Sequence, residues 1–374
     1  MPISIHHYGP EHEGAVREFN QRLQSAGAES NLVFYETAQP KWLPRSGNAS
    51  ALYNEFFVAL DGGVVRGGYA LKHQDFSFPD GAVRNIAYYH HPLSEGIVNK
   101  SYAVVGGLLL RDAMQRSPLL YCLGMGGYEN PLPKLLVRQG WSHCLAPFYF
   151  RVVHATRFLR EMESVRSSGL RGFAADMAAY TGAGWAAAKM FNLYRQLQRP
   201  QTPQFEVDPI AEFDAWADDL WERTRGVCGF TAVRDAASLR TLYPASERHL
   251  TRLRISRNAA AIGWAVVGEK RTDAKYGSLR VGSIVDCWCD PSDALAIILA
   301  ATETLEKAGV DLIVSNQTHK SWCAALHNAG FLSGPSNFIF AASKKLGELL
   351  QPFDEAKVRM HLTRADGDGL PRNF

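Results

Sequence analysis

The sequence has no uninterrupted apolar run of about 18 residues, so it offers no candidate membrane-spanning helix. Its first residues, MPISIHHYGPEHEG, contain no basic segment followed by an apolar stretch, so no secretory leader is expected. It also lacks a charge bias. With 40 Lys and Arg against 37 Asp and Glu, the net charge of +3 gives no compositional ground for a nucleic-acid partner. Cysteine is sparse, with six residues, and these are scattered through mostly apolar segments such as LLYCLGM. That usage argues against a disulfide framework and for reduced thiols in a cytoplasmic protein. The C-x-C pair Cys287 and Cys289 has no second ligand pair at zinc spacing, so no metal is expected. In a strand the two cysteines share one face and read as buried core.

What is present is enough for two domains. The chain has 374 residues, is 46% hydrophobic and 21% charged, and can bury sizeable cores. Its most informative feature is an internal repeat. The first half runs AVRNIAYYHHP, GGLLLRDAMQRS, PLLYCLGMGG, YENPLPKLLVRQGW and APFYFRVV. The second half runs RVGSIVDCWCDP, ALAIILAATETLEKAG, VDLIVSNQ, THKSWCAALHNAGF and SNFIFAAS in the same order. Pro92 matches Pro291, Gly140 matches Gly330, and Trp141 matches Phe331. Upstream, EGAVREFNQRLQSAG precedes EFFVALD and VVRGGYALKHQ, as FDAWADDLWERTRG precedes HLTRLRIS and AAIGWAVVGE. Each half reads as helix, antiparallel meander, then strand–helix–strand–helix–strand. The expected class is α/β with mixed sheets: two lobes in tandem, each a central mixed β-sheet flanked by helices. The boundaries are 1–153 for the first lobe, 206–350 for the second and 351–374 for a C-terminal tail.

Residues 154–205 belong to neither copy. From Arg157 to Arg199 they carry seven Lys and Arg against three acids, among many alanines and aromatics, and they end in a Pro/Gln linker. They read as a helical connector. The same composition suits an interfacial element at an anionic membrane or a lipid chain.

The run from the fourth strand onward, seen twice, resembles the GCN5-related N-acetyltransferase (GNAT) superfamily in tandem. LLVRQGW and ALHNAGFLSGPSNFIFAAS are similar to its helix that ends at glycine before an aromatic and a final strand. The resemblance covers most of 1–150 and 206–348. It implies an acyl-CoA N-acyltransferase fold, acyl-CoA as co-substrate and no metal. The family's cofactor motif, a Gln or Arg followed by small residues at a helix start, aligns with Lys100, Ser101, Tyr102, Ala103, Val104 and Val105. Helix N-terminal N–H groups and the helix dipole suit a pyrophosphate, and Lys100 adds charge. Val105 stands where a small residue would permit close approach. The second copy has no such loop. Asp290 and Asp293 there would repel an anion and suit a helix start instead. The first lobe is therefore expected to hold acyl-CoA and the second to be degenerate, although tandem members differ in which lobe stays active.

The reaction the resemblance implies is attack of an amine on a thioester. An alkylammonium must first lose its proton, the tetrahedral intermediate needs a donor, and the leaving thiolate needs an acid. The catalytic candidates lie at the tips of the fourth and fifth strands: His91 and Glu95 in YYHHPLSEG, and Tyr128 and Glu129 in GGYENP. The substrate-binding candidates are His90, then Arg225 and Arg234 in the segment RTRGVCGFTAVRDAASLRTLYP, and Asn316 and His319 at the matching tip of the second lobe. The expected acceptor is an amine of a cell-envelope precursor, either a lipid such as a long-chain base or an amino sugar. That places the enzyme in the cytoplasm, with the middle segment available for contact at the inner face of the membrane. Two other readings stay open: a FemABX-like aminoacyl transferase and a non-catalytic binding protein. The sequence leaves oligomeric state undetermined.

Overall fold

The computed structural model describes residues 3–30, 32–39, 43–44, 51–155, 157–158, 203–271 and 279–367. Nearly all of the expected connector, and with it the interfacial reading, lies outside the described residues. In chain order the elements of the first repeat are β1 (Ser4–His7), α1 (Glu13–Ser25), β2 (Tyr53–Asp61), β3 (Val64–Ser77), β4 (Val83–Ser94), α2 (Val105–Arg116), β5 (Leu120–Gly124), α3 (Pro131–Arg138), β6 (Ser142–Leu145) and β7 (Phe148–Val152). The second repeat begins with β8 (Glu206–Ile210), α4 (Ala215–Thr224), β9 (Phe230–Ala232), α5 (Ala236–Leu242), β10 (Leu250–Arg257) and β11 (Ala260–Arg271). It continues with β12 (Arg280–Cys289), α6 (Ala294–Lys307), β13 (Leu312–Asn316), α7 (Lys320–Asn328), β14 (Leu332–Gly334) and β15 (Ile339–Ala342). After it come α8 (Lys344–Leu349), α9 (Phe353–Arg359) and β16 (Met360–His361).

The chain forms two units, Met1–Cys144 with Phe340–Phe353, and Leu145–Ile339 with Asp354–Phe374. In the first unit a mixed sheet runs β1-β2-β3-β4-β5-β15-β6. Period-two alternation splits its core in two. Phe56, Val58 and Ala70 pack with Val16, Phe19 and Leu23 of α1. Phe57, Ala59, Tyr69, Leu71 and Tyr89 pack with Val105, Leu109 and Leu110 of α2 and Leu136 of α3. In the second unit the order is β14-β7-β13-β12-β11-β10-β8. Its α6 is buried on most sides, with Ile297, Ile298, Leu299, Ala301 and Leu305 in the core.

Both repeats end α3 and α7 in the same way. Gly140 (φ +75°) and Gly330 (φ +87°) take the left-handed conformation. The next residue's N–H then reaches back five residues, Trp141 to the Leu136 carbonyl at 3.2 Å and Phe331 to that of Leu326 at 3.0 Å. This is the helix-terminating motif that glycine permits. It drives Trp141 (3% exposed) and Phe331 (0%) into the core.

Two features depart from the expected division at 153 and 350. The last strands are exchanged: β15, from the second repeat, completes the first unit's sheet between β5 and β6, and β7, from the first repeat, lies between β13 and β14. The register Phe148↔Asn316 to Val152↔Leu312 fixes β7 there. The two final strands are both short and apolar, so pattern alone does not choose their partners. The segment expected as a tail is also built in. Met360 and His361 pair in parallel with Phe230 and Thr231, and Gln317 bridges to Thr363.

Candidate functional site

In the first unit β4 and β5 pair in parallel only at Ala87↔Leu120 and Tyr88↔Tyr121. Beyond Tyr88, β5 takes up no backbone group of β4, so that edge offers N–H and C=O groups outside the ladder. Across the opening, Tyr88 donates its hydroxyl to the Leu123 carbonyl at 2.9 Å. On its other edge β4 carries a bulge. Ala70 pairs with His90 but Gly68 with Leu93, so Tyr69 of β3 alone faces His91 and Pro92 of β4. His91 absorbs the extra residue with φ +53°, a conformation that costs a non-glycine residue about 1–3 kcal/mol.

The bulge separates the two histidines. His91 Nε2 lies 2.6 Å from the Val33 carbonyl, and the ring stacks on Phe34 at 6.0 Å. His90 is 6% exposed and stacks on Tyr88 with centroids 5.1 Å apart. Burial, helped by His91 and Lys72, pushes its pKa down to about 3, so the ring is neutral at physiological pH.

The loop after β4 contains two short turns, Glu95–Ile97 and Lys100–Tyr102. Gly96 lets them meet, because a Cβ there would lie 2.7 Å from the Tyr102 carbonyl. Three backbone donors of the predicted cofactor segment are consumed internally. Ser101 N–H donates to Asn99 Oδ1 at 3.1 Å, Tyr102 N–H to the Asn99 carbonyl at 3.0 Å, and Ala103 N–H to that of Lys100 at 3.1 Å. Val105 is wholly buried, and its side chain lies against Gly67. Lys100, Ser101, Ala103 and Val104 remain exposed, and Tyr102 is half-buried with Arg66 over its ring at 4.2 Å. The first turn of α2 instead presents Gly106 and Gly107, where an added Cβ would meet nothing within 4 Å. The approachable N–H groups thus sit downstream of the predicted register, at glycines that the motif alignment left unused.

The carboxylates expected to act on protons are otherwise engaged. Glu95 is 5% exposed and accepts from Arg66 at 2.9 and 3.0 Å and from Arg22 at 3.2 Å. It ties the loop to β3 and α1. Glu129 lies on the surface, paired with Lys134 at 2.9 Å, and that lysine holds its pKa below the ordinary value. Tyr128 follows a left-handed run, Gly124 to Gly127, that includes Met125 at φ +70°. Its hydroxyl lies 2.9 Å from Nδ1 of His143 on β6. Burial raises its pKa, with Cys144 adding to the effect.

The second unit's counterpart is filled. β12 and β13 pair only through Ser283↔Val314, and the space beyond holds residues 360–366. Arg234, 1% exposed, donates to Asp286 at 3.1 Å and to Asp366 at 2.8 Å. Asp286 also accepts from the Tyr243 hydroxyl at 2.7 Å and from the Thr363 hydroxyl at 3.0 Å. His361 is wedged between Trp288 and Trp322, with its Nε2 2.9 Å from the Cys287 carbonyl. Burial holds the thiols of Cys287 and Cys289 far above their ordinary range, so both are inert core residues. The substrate candidates of this unit are tied up. Asn316 donates to the Pro147 carbonyl at 3.2 Å and accepts from Arg364 at 2.8 Å. His319 caps α7 through the Ser321 N–H at 3.2 Å. Arg225 is half-buried and pairs with Glu222 at 3.1 Å. Asp290 accepts from Ser292 N–H at 2.9 Å, and Asp293 pairs with Arg257 at 2.9 Å.

No protein-family profile matches the sequence, and no curated protein does. Solved structures do match the fold. A protein from Enterococcus faecalis V583 described as a "Probable N-Acyltransferase" superposes with a TM-score of 0.51 at 11% identity, over 94% of this chain and 75% of that one. Saccharomyces cerevisiae N-myristoyltransferase, solved with bound myristoyl-CoA, gives 0.53 at 10% identity, over 92% and 79%. The chain has the fold of these N-acyltransferases. At this identity the likeness is one of fold.

Within this N-acyltransferase fold, sequence reasoning missed His143, because a lone histidine in the short strand SHCL carries no local signal. It also missed Gly106 and Gly107 as the open helix start. The paired glycines were visible, but only the helix boundary shows which N–H groups they uncover. Among the described residues no group of His, Cys, Asp and Glu is arranged to hold a metal ion. Among the same residues no helix is long and apolar enough to cross a membrane.

Proposed function

We propose that the chain is an acyl-CoA-dependent N-acyltransferase whose first unit receives the thioester between β4 and β5, with the second unit a degenerate copy. One observation supports this above the rest: the β4 edge is open beyond Tyr88, whereas the equivalent space in the second unit is filled by the chain's own Met360–Asp366. In this reading the N–H groups at Gly106 and Gly107, with Lys100, receive the pyrophosphate. The β4 groups past the bulge face the thioester carbonyl and supply donors to the oxyanion.

The amine nitrogen attacks the carbonyl carbon, a C–N bond forms and the C–S bond breaks. The amine gives up a proton and the thiolate takes one. Glu95 and Glu129 are ion-paired, His91 is held on a carbonyl and His90 is far too weak a base. The attacking amine is therefore supplied already neutral from solvent, and positioning provides the acceleration. Tyr128, with His143 behind it, is the proposed donor to the thiolate. The proposed acceptor is an amine of a cell-envelope precursor, a lipid base or an amino sugar, met in the cytoplasm or at the inner face of the membrane.

Thermal unfolding with CoA, acetyl-CoA and palmitoyl-CoA tests the reading. Ligand at a hundredfold its Kd stabilises by about 2.7 kcal/mol. No shift with any of them would remove the proposal and leave a binding protein of another kind.

A further inference from the structure

We infer that the acceptor is a compact polyhydroxylated amine of the amino-sugar class, received on the α1-side face of β2, β3 and β4 by Asn54 and His90, and not a lipid base. This rests on the acyltransferase reading above. The register places Asn54 opposite Lys72 and Lys72 opposite Tyr88, with His90 opposite Ala70 one step along. All of these side chains therefore point to one face. Toward α1 that face is apolar, with Phe56 and Ala70. At the Asn54 row it becomes polar while staying buried: Asn54 is 8% exposed, Lys72 0%, Gln74 1%, Tyr88 1% and His90 6%.

Two of these groups lack what burial demands. Asn54 Oδ1 and His90 Nε2 are buried with no hydrogen-bond partner among the described residues. Leaving each so costs about 1–3 kcal/mol, which a ligand donor would recover. The His90 ring is held by its stack on Tyr88, 7° from parallel, so Nε2 keeps its direction. A carbonyl oxygen and a neutral imidazole nitrogen both complement donors. The two lie on strands separated by β3 and one step apart along them, about 12 Å between backbones, a span suited to a sugar ring with its amine at one side and hydroxyls at the other. A hydrocarbon chain on this face would leave Asn54 Oδ1 and His90 Nε2 unanswered, a cost no methylene contact offsets. His90 also stands beside the β4 opening, which puts the amine next to the proposed thioester position.

The experiment uses the full chain loaded with CoA, titrated calorimetrically with glucosamine and with sphinganine in micelles, and acetyl-CoA turnover read by thiol release. Glucosamine is expected to bind and be acylated. Asn54→Leu and His90→Phe, each checked for unchanged CoA affinity as evidence of folding, should weaken glucosamine at least tenfold and leave the KM for acetyl-CoA unchanged. Sphinganine as the better acceptor, no glucosamine binding, or folded variants with undiminished glucosamine affinity would each overturn the inference alone. Loss of CoA binding in the unaltered chain would overturn the acyltransferase reading beneath it.

Discussion

The Arg234 guanidinium donates to Asp366 at 2.8 Å, joining residues 132 apart in sequence. Their side chains are 1% and 3% exposed, and Asp286 completes the cluster at 3.1 Å. Two carboxylates, a phenol and a hydroxyl surround one cation, and none of them is left for a ligand. Asp366→Ala should lower unfolding stability by about 3–5 kcal/mol, because it leaves a buried guanidinium short of its partner. Urea unfolding measures this. CoA affinity, assigned to the other unit, should not change in the fraction that stays folded.

Glu95 separates a structural role from a catalytic one. Glu95→Gln removes the charge that Arg66 and Arg22 surround and should cost about 2 kcal/mol or more, since the arginines are only partly exposed. The pH–rate profile should keep its shape. With solvent delivering the neutral amine, kcat/KM should rise tenfold per pH unit up to the acceptor's own pKa, with or without Glu95. A wild-type profile that levels off well below the acceptor's own pKa, and loses that step in Glu95→Gln, would return Glu95 to the role of base.

Three buried histidines predict acid lability. Burial pushes His90 down to about 3, His319 to about 4 and His361 well below its ordinary value. Each is neutral when folded and titrates near 6.5 when unfolded. The unfolded chain then binds more protons, so stability is complete above about pH 6.5 and declines as pH falls toward 4. The slope is about 1.4 kcal/mol per pH unit for each histidine. Denaturant midpoints at pH 7.5, 6 and 5 give the slope. His90→Phe should reduce it by one proton.

The anion site can be tested against stability. Gly107→Leu meets no neighbour and replaces glycine inside α2, so the helix should gain about 0.8 kcal/mol. If the pyrophosphate seats on that turn, CoA affinity should fall at least tenfold in the same variant. Lys100→Glu should also weaken CoA, whereas Asp293→Lys, which breaks the pair with Arg257, should confer no binding on the second unit. A tighter CoA complex in Gly107→Leu would move the anion site elsewhere.

Much of the architecture was legible because it is written at short range. The alternation of Phe56, Phe57, Val58 and Ala59, the four-residue spacing of Leu109 and Ala113, and the Gly140–Trp141 and Gly330–Phe331 helix ends are set by neighbours in the chain. So was the repeat, which is those local patterns twice. Lys100, His90 and the two strand tips were candidates on the same local reading.

Their roles did not, because a role depends on what arrives from elsewhere. Whether Glu95 is a base or a brace is decided by Arg66 and Arg22, and whether Arg234 meets a substrate is decided by Asp366. Final strands alike in length and apolarity exchange sheets, a choice made by edge pairing that no local period encodes. The sequence alone determined two sheets, their helices and which copy kept a loop before its helix. Only the tertiary structure decided which opening stays clear, because filling it depends on seven residues of chain, Met360–Asp366, whose local pattern shows nothing of the buried charge they meet.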